Sequence, residues 1–453
     1  MNRGQCPRFA IRVFGLFMVI LASVSLASAE WKEKVPYSFK GGSDGEAPVG
    51  RMAGDKSGNL YGATQFGGAD NCSPMADCGT VYQLRPPAKN GDPWTEKVLH
   101  VFQGKAVNDG DFPGGGLVID SLGNLYGTTY YGGMGDCVLL GIKGGCGVVF
   151  EFSPPENKGG IWKETIIYSF KGGDDGYVPF GDLTFDRAGN LYGVTLFGGG
   201  KGAGLCDPFY QGCGTVFKLS PPTRKGGKWT EAVLHSFAAG TDGYNPNGGL
   251  LLDSERVIYG TTALGGNQLC NFQQYEVGCG IMFRLVPPAK MSEPWTEQTL
   301  LRFTDGKNGA GPNGNLIFDT QGRLYGTAGG GDAQGCGVVF RMTPAGGLWS
   351  EAVLYEFTCG NDGQGPAPLI IDKLGDLYGT SIGGPLHEGV AYRLRRPAGT
   401  EESTWNFNLL YTFQGAPECG HPVSAPLTFN SGGLYGTAYG GEANQGCVFD
   451  LIP

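Results

Sequence analysis

Three sets of residues in this 453-residue chain have types and spacing that could do chemistry. The stretch DSLGNLYGTTYYGG, Asp120 to Gly133, has the glycine content of a loop that wraps a phosphate. His100 and His235 carry side chains suited to general-base work near neutral pH. The cysteines, 13 in all, could ligate a metal or form a disulfide framework. What surrounds these residues decides among the uses. The glycine runs lead into strand-like segments rather than into a helix whose N-terminus could hold an anion, and no GxxxxGK[ST] occurs. HExxH and a CxxC pair spaced for zinc are missing as well. No catalytic residue, cofactor or metal is therefore expected from motifs.

The elements that must position these residues repeat. The seven tryptophans, Trp31, Trp94, Trp162, Trp229, Trp295, Trp349 and Trp405, each open a strand-like run such as WTEKVLHVF or WSEAVLYEF. Downstream of each comes DGxxP or a relative, an apolar run ending in Asp, a turn, and LYG or IYG. The tyrosines of that element are Tyr61, Tyr126, Tyr192, Tyr259, Tyr325, Tyr378 and Tyr435. After a GG pair and a variable loop the unit ends in GTVYQL, GVVFEF, GTVFKL, GIMFRL, GVVFRM, GVAYRL or CVFDLI.

With 83 glycines, 28 prolines and 17% charged residues, the composition reads as all-β with many tight turns. Units of 54 to 68 residues with four strand candidates each are the mark of propeller blades. The prediction is a seven-bladed β-propeller, one domain over residues 30–453. From the axis outward, each blade should hold the run ending in Asp, then LYGTT, then GTVFKL, then the Trp run. The first Trp run has no blade before it and the last blade lacks an outer strand, so the two should pair and close the ring.

The LYGTT, GG and GTVFKL elements resemble the GloVer tandem repeat of bacterial exported proteins, over nearly the whole chain after residue 29. The resemblance implies an exported repeat protein and no particular activity, cofactor or site residue. Its members often end in a surface-anchoring tail, whereas this chain stops at Pro453 without a hydrophobic one, a departure that leaves surface attachment open.

Residues 1–29 read as a signal peptide: Arg3, Arg8 and Arg12, then FGLFMVILASVSL, then Ala27-Ser28-Ala29. Cleavage is expected after Ala29, leaving a secreted, periplasmic or extracellular protein. Removing three arginines and no acid moves the net charge from −9 to about −12, which disfavours nucleic acid and anionic membrane as partners.

Symmetry gives most recurring polar residues structural work. Asp55, Asp120, Asp186, Asp253, Asp319 and Asp372, with Asn430 in the seventh copy, sit one per blade at a turn, where Asp bonds the backbone beyond it. His100 and His235 occupy the outer-strand position of Tyr37, Tyr168, Tyr355 and Tyr411 and read as packing residues. Outside the leader there are twelve cysteines, an even count for an oxidising compartment. The economical pairing is Cys72–Cys78, Cys137–Cys146, Cys206–Cys213, Cys270–Cys279, Cys336–Cys359 and Cys419–Cys447.

The stapled loops share one face with the blade-to-blade links, and there the copies diverge. Tyr130, Tyr131, Phe209, Tyr210 and Tyr275 in the loops, with Tyr177 and Tyr244 in the links, are the aromatic candidates for ligand binding. Near the axis the residue four before the turn Asp is also unrepeated: Arg51 and Asp182, with Asn315, stand where Gly or Pro stands elsewhere, a candidate polar funnel. These features favour an extracellular binding module for a glycan or a protein. Two alternatives stay open, a carbohydrate lyase or glycosidase with its residues near the axis, and a structural surface or assembly protein.

Overall fold

A computed structural model describes residues 31–453 except 69–77, 90, 139–140, 142, 158, 201–205, 207–211, 225, 267–269, 273–274, 277, 291–292, 331–334, 398, 400–404 and 424, with the backbone alone at 271, 272, 275 and 276. Seven antiparallel four-stranded sheets form the blades of a β-propeller, and the helix among the described residues amounts to short 3-10 turns. Blade 3 shows the order: Tyr177–Phe185 innermost, then Leu191–Phe197, Thr215–Ser220 and, outermost, Thr230–Ser236. The expected closure is present. Lys32–Ser38 pairs antiparallel with Cys447–Ile452, Lys32 opposite Ile452 and Ser38 opposite Cys447. The expected signal peptide lies outside the described residues. Among the described residues no helix is long and apolar enough to cross a membrane.

The repeated residues explain the ring because they meet between blades. The Tyr of each LYG packs against the Trp of the next blade: Tyr61 on Trp162 at 5.7 Å, Tyr126 on Trp229 at 6.2 Å, and Tyr325 on Trp405 at 6.1 Å. A second aromatic seam also joins the blades, with Phe102 against Phe150 at 5.3 Å and Phe170 against Phe217 at 5.1 Å. A lone blade would leave these rings in water, so neighbours are needed for the sheet faces to be buried.

The glycine of LYG makes room for that seam. A Cβ on Gly193 would lie 2.6 Å from the Phe217 ring and 2.9 Å from Leu183. The turn aspartates behave as expected. Asp186 accepts from the Ala188 and Asn190 backbone N–H groups at 2.9 and 3.0 Å, from Asn190 Nδ2 at 2.7 Å and from the Tyr192 hydroxyl at 3.0 Å. These donors hold its carboxyl below the usual range against the opposing effect of burial.

Five of the expected disulfides are formed: Cys137–Cys146, Cys206–Cys213, Cys270–Cys279, Cys336–Cys359 and Cys419–Cys447. Cys78 is disulfide-bonded too, and its expected partner Cys72 lies outside the described residues.

Candidate functional site

The innermost strands converge on the axis through backbone rather than side chains. Gly248 has φ +76°, and a Cβ there would stand 2.3 Å from Gly314 Cα of the next blade. One residue further on, the seven blades place Arg51, Gly116, Asp182, Gly249, Asn315, Pro368 and Pro426 in turn around the ring. The structure brings the polar members together. Asn315 Nδ2 donates to Asp182 Oδ2 at 2.9 Å, the Gly116 N–H donates to Asp182 Oδ1 at 2.7 Å, and the Gly249 N–H donates to Asn315 Oδ1.

Gly116 and Gly249 are glycine because these side chains lie across them. A Cβ at Gly116 would sit 2.5 Å from Asp182 Oδ1, and one at Gly249 would sit 2.6 Å from Asn315 Oδ1. Long side chains from blades 3 and 5 thus cross the bare backbone of blades 2 and 4. Burial pushes the Asp182 carboxyl above its ordinary range, while the Arg51 charge, the Gly116 N–H and Asn315 pull the other way.

Asp182 and Asn315 line two cavities and so partition the channel between them. One cavity, of about 280 Å³, is bounded by the first halves of the innermost strands, which follow the blade-to-blade links; it therefore opens on the face of the stapled loops. Its walls include Gln65, Tyr130, Phe180, Asn247 and Asn313. The other, of about 780 Å³, opens toward the Asp turns and is mostly aliphatic, with the exposed Arg51 at its wall. Asp182 is the one carboxylate among the described residues lining either cavity.

The aromatic candidates separate on burial. Tyr130 lines the loop-face cavity; its ring stacks on Phe180 at 5.6 Å and tilts against Phe112 at 5.2 Å. Its hydroxyl makes no hydrogen bond within the described protein, and burial raises its pKa far above the usual phenol. Tyr131, Tyr177 and Tyr244 are buried. Tyr177 packs on Phe197 at 5.5 Å, and Tyr244 lies in the core between blades 3 and 4. A residue that starts the innermost strand faces the second strand, which is why the link tyrosines turn inward. Phe209 and Tyr210 lie outside the described residues, as does the side chain of Tyr275.

A second polar constellation recurs at the blade junctions. At five of the seven junctions the Tyr or His of the outer strand bonds the Asp of the following DG link: Tyr37 to Asp44 at 2.5 Å, His100 to Asp109 at 3.0 Å, Tyr168 to Asp175 at 2.5 Å, His235 to Asp242 at 3.0 Å and Tyr355 to Asp362 at 2.8 Å; Leu301 takes the position at another, and Tyr411 donates to Glu33 at the last. The histidines also pack as rings, His100 on Phe102 at 5.0 Å and His235 on Phe237 at 4.7 Å. Behind the first four of these pairs stands the Glu two residues after the next blade's Trp, whereas Phe407 takes that place behind Tyr355. Burial raises Glu33, Glu96 and Glu231 to about 7, and burial together with the Asp109 charge raises Glu164 above its ordinary range as well. The DG and WxE elements were both visible in the repeat; their contact crosses two blades and leaves no linear spacing to read.

The ring, its closure and its partitioned axis define a seven-bladed propeller with a polar site on the axis. The chain belongs to the Gloeobacter/Verrucomicrobia repeat family, whose repeat matches residues 22–206, 143–380 and 207–449. No curated protein matches it. Among solved structures it is similar to a PL25 ulvan lyase bound to an oligosaccharide, at 10% identity and TM-score 0.48 over 90% of this chain and 94% of that one. It is also similar to the polysaccharide lyase Uly1, at 12% identity and TM-score 0.47 over 90% and 89% of the two chains. A Trypanosoma rangeli sialidase in complex with sialic acid follows at 8% identity and TM-score 0.38, covering 93% of this chain and 58% of that one. Every TM-score is below 0.5, so none of these likenesses bears on activity.

Proposed function

We propose that this chain is an exported propeller that binds a glycan end-on, seating one sugar residue in the loop-face cavity above the Asp182–Asn315 partition. The observation that carries this reading is the lining of that cavity. Gln65, Asn247 and Asn313, the unbonded hydroxyl of Tyr130 and the ring of Phe180 line it together, with a single carboxyl at the floor. Neutral donors and acceptors beside an aromatic ring suit a polyhydroxyl ligand. A volume of about 280 Å³ is at the small end for ligand pockets, which favours a single sugar over a bulky peptide side chain with its backbone.

Binding is preferred to hydrolysis for a geometric reason. Glycoside hydrolysis by the usual route needs two carboxyls roughly 5 to 10 Å apart. The axial cavities offer one among the described residues.

The test is a glycan array combined with a polysaccharide-depolymerisation screen on the chain from Glu30. Binding without cleavage, lost in Asn315→Ala and weakened in Tyr130→Phe, is the expected result. Cleavage would move the reading to a carbohydrate-active enzyme, and neither binding nor cleavage would favour an assembly role.

A further inference from the structure

The junction between blades 1 and 2 differs from its six siblings. There, and in no other place among the described residues, three ligand-type atoms from separate side chains fall within 4.8 Å of one another: those of His100, Asp109 and Glu164. His100 Nε2 lies 3.0 Å from Asp109 Oδ2 and 3.3 Å from Glu164 Oε2. One imidazole N–H cannot serve two carboxylates at those distances with good geometry in both. Around a metal ion with bonds of about 2.0–2.2 Å, neighbouring ligand atoms stand roughly 2.9–3.5 Å apart, the spacing that His100 keeps to both acids.

We propose that His100, Asp109 and Glu164 form a binding site for a divalent transition-metal ion of the zinc type. The site goes beyond the glycan reading and shares no residue with the axial cavity. One imidazole and two carboxylates form a borderline ligand set that suits Zn²⁺, with water completing the coordination.

Two further observations favour a cation. The first is a set of buried carboxyl oxygens without partners. Asp111, two residues beyond Asp109, is 1% exposed and has no partner on either carboxyl oxygen, and Glu164 Oε1 is also buried without one. Among the described residues no Lys or Arg forms an ion pair with Asp109, Asp111 or Glu164. Buried carboxylates left unpaired are costly, and a dication relieves that cost. The second is preorganisation. The Gln103 N–H donates to Asp109 Oδ2 at 2.9 Å and the Gly110 N–H to Oδ1 at 2.5 Å, which fixes the carboxylate that a metal would need held.

The sibling junctions supply the controls. His235 bonds Asp242 at 3.0 Å, with no ion pair to the Glu297 behind it. At four other junctions the position is Tyr37, Tyr168, Tyr355 or Tyr411, so tyrosine is the residue this fold already accepts there.

The experiment is titration of the chelator-treated chain with Co²⁺ and with Zn²⁺, followed by calorimetry and, for Co²⁺, by visible absorption. One saturable equivalent with a ligand-field spectrum is expected. Affinity should fall at least about 100-fold in His100→Tyr and in Glu164→Gln, and stay unchanged in His235→Tyr. Far-ultraviolet circular dichroism and the melting temperature check that the variants fold. No saturable equivalent in the wild type would overturn the proposal, leaving the junction neutralised by protons alone. Equal affinity in His100→Tyr, or equal loss in His235→Tyr, would also overturn it.

Discussion

Asn315 Nδ2 and Asp182 Oδ2, 133 residues apart in the chain, meet at 2.9 Å across the propeller axis. The contact joins blade 3 to blade 5 over the backbone of blade 4, so it ties together elements that share no sheet. Replacing Asp182 by Ala strands both the Asn315 amide and the Gly116 N–H. Each lost acceptor for a buried donor costs about 1–3 kcal/mol. Asn315→Ala likewise strands the Gly249 N–H and takes a donor from Asp182, so both single variants should destabilise and the double variant should lose less than the sum. Denaturant melts of the four proteins give the coupling directly; strict additivity would show that the contact holds nothing.

The outer acids predict a stability that falls with rising pH. Burial raises Glu33, Glu96 and Glu231 from about 4.5 in the open chain to about 7 in the fold. A carboxyl with a raised folded pKa is protonated equally in both states below 4.5 and is penalised when it must ionise in the fold. Its contribution is complete below pH 4.5 and is lost as pH rises through about 7. The groups nearest Glu96 are Asp44, which raises it further, and Lys40, which opposes the rise. Depressed carboxyls such as Asp186 and Asp319 act in the opposite sense, but below their ordinary 3.8 and so outside this window. The melting temperature should decline between pH 5 and pH 8, and Glu96→Gln should flatten the slope. A melting temperature that rises over that interval would contradict the assignment.

The repeated glycine of LYG predicts a packing defect rather than a conformational one. Gly193 is not among the residues of positive φ, and its replacement fails on space alone, since the Phe217 ring would sit 2.6 Å from the new Cβ. Gly193→Ala should cost about 1–3 kcal/mol, as overpacked cores do. Adding Phe217→Leu should recover part of the loss, which a purely backbone effect would not allow. Thermal unfolding of the single and double variants distinguishes the two.

Much of this architecture was legible because the propeller repeats its interfaces along with its strands. Trp162 and Tyr61 recur at fixed places in the sequence for the same reason that they touch in space: each unit buries the previous one. The breaks in the repeat were also legible, and Arg51, Asp182 and Asn315 stood out by replacing Gly or Pro. Their mutual geometry was not, because it depends on the intervening Gly116 and Gly249, whose value lies in what they lack. Tyr177 and Tyr244 looked available because they follow an exposed DG turn, yet strand pairing sends them inward. In the sequence His100 is one of six equivalent Tyr or His positions of the outer strands. Its second role appears only when Glu164 arrives from the next blade, 64 residues on.

Closure of the ring gives the last prediction. Lys32–Ser38 is the outer strand of blade 7, and the residues flanking it reach both neighbours. Trp31 packs into the cluster that contains Tyr378 of blade 6, and Phe39 meets Tyr82 of blade 1 at 5.0 Å. Without this segment the strand Cys447–Ile452 would present a free edge flanked by exposed aromatic surface. An open edge of that kind recruits another strand, and a second copy of the chain is the nearest source. A chain beginning at residue 40 should therefore elute as dimers or larger species and melt at lower temperature. A synthetic peptide spanning Trp31 to Phe39, added in excess, should restore the elution profile of the chain from Glu30 and raise the melting temperature by mass action. If the shortened chain elutes as the chain from Glu30 does and its melting temperature is unchanged, the strand contributes nothing to closure and the ring is held by its blade interfaces alone.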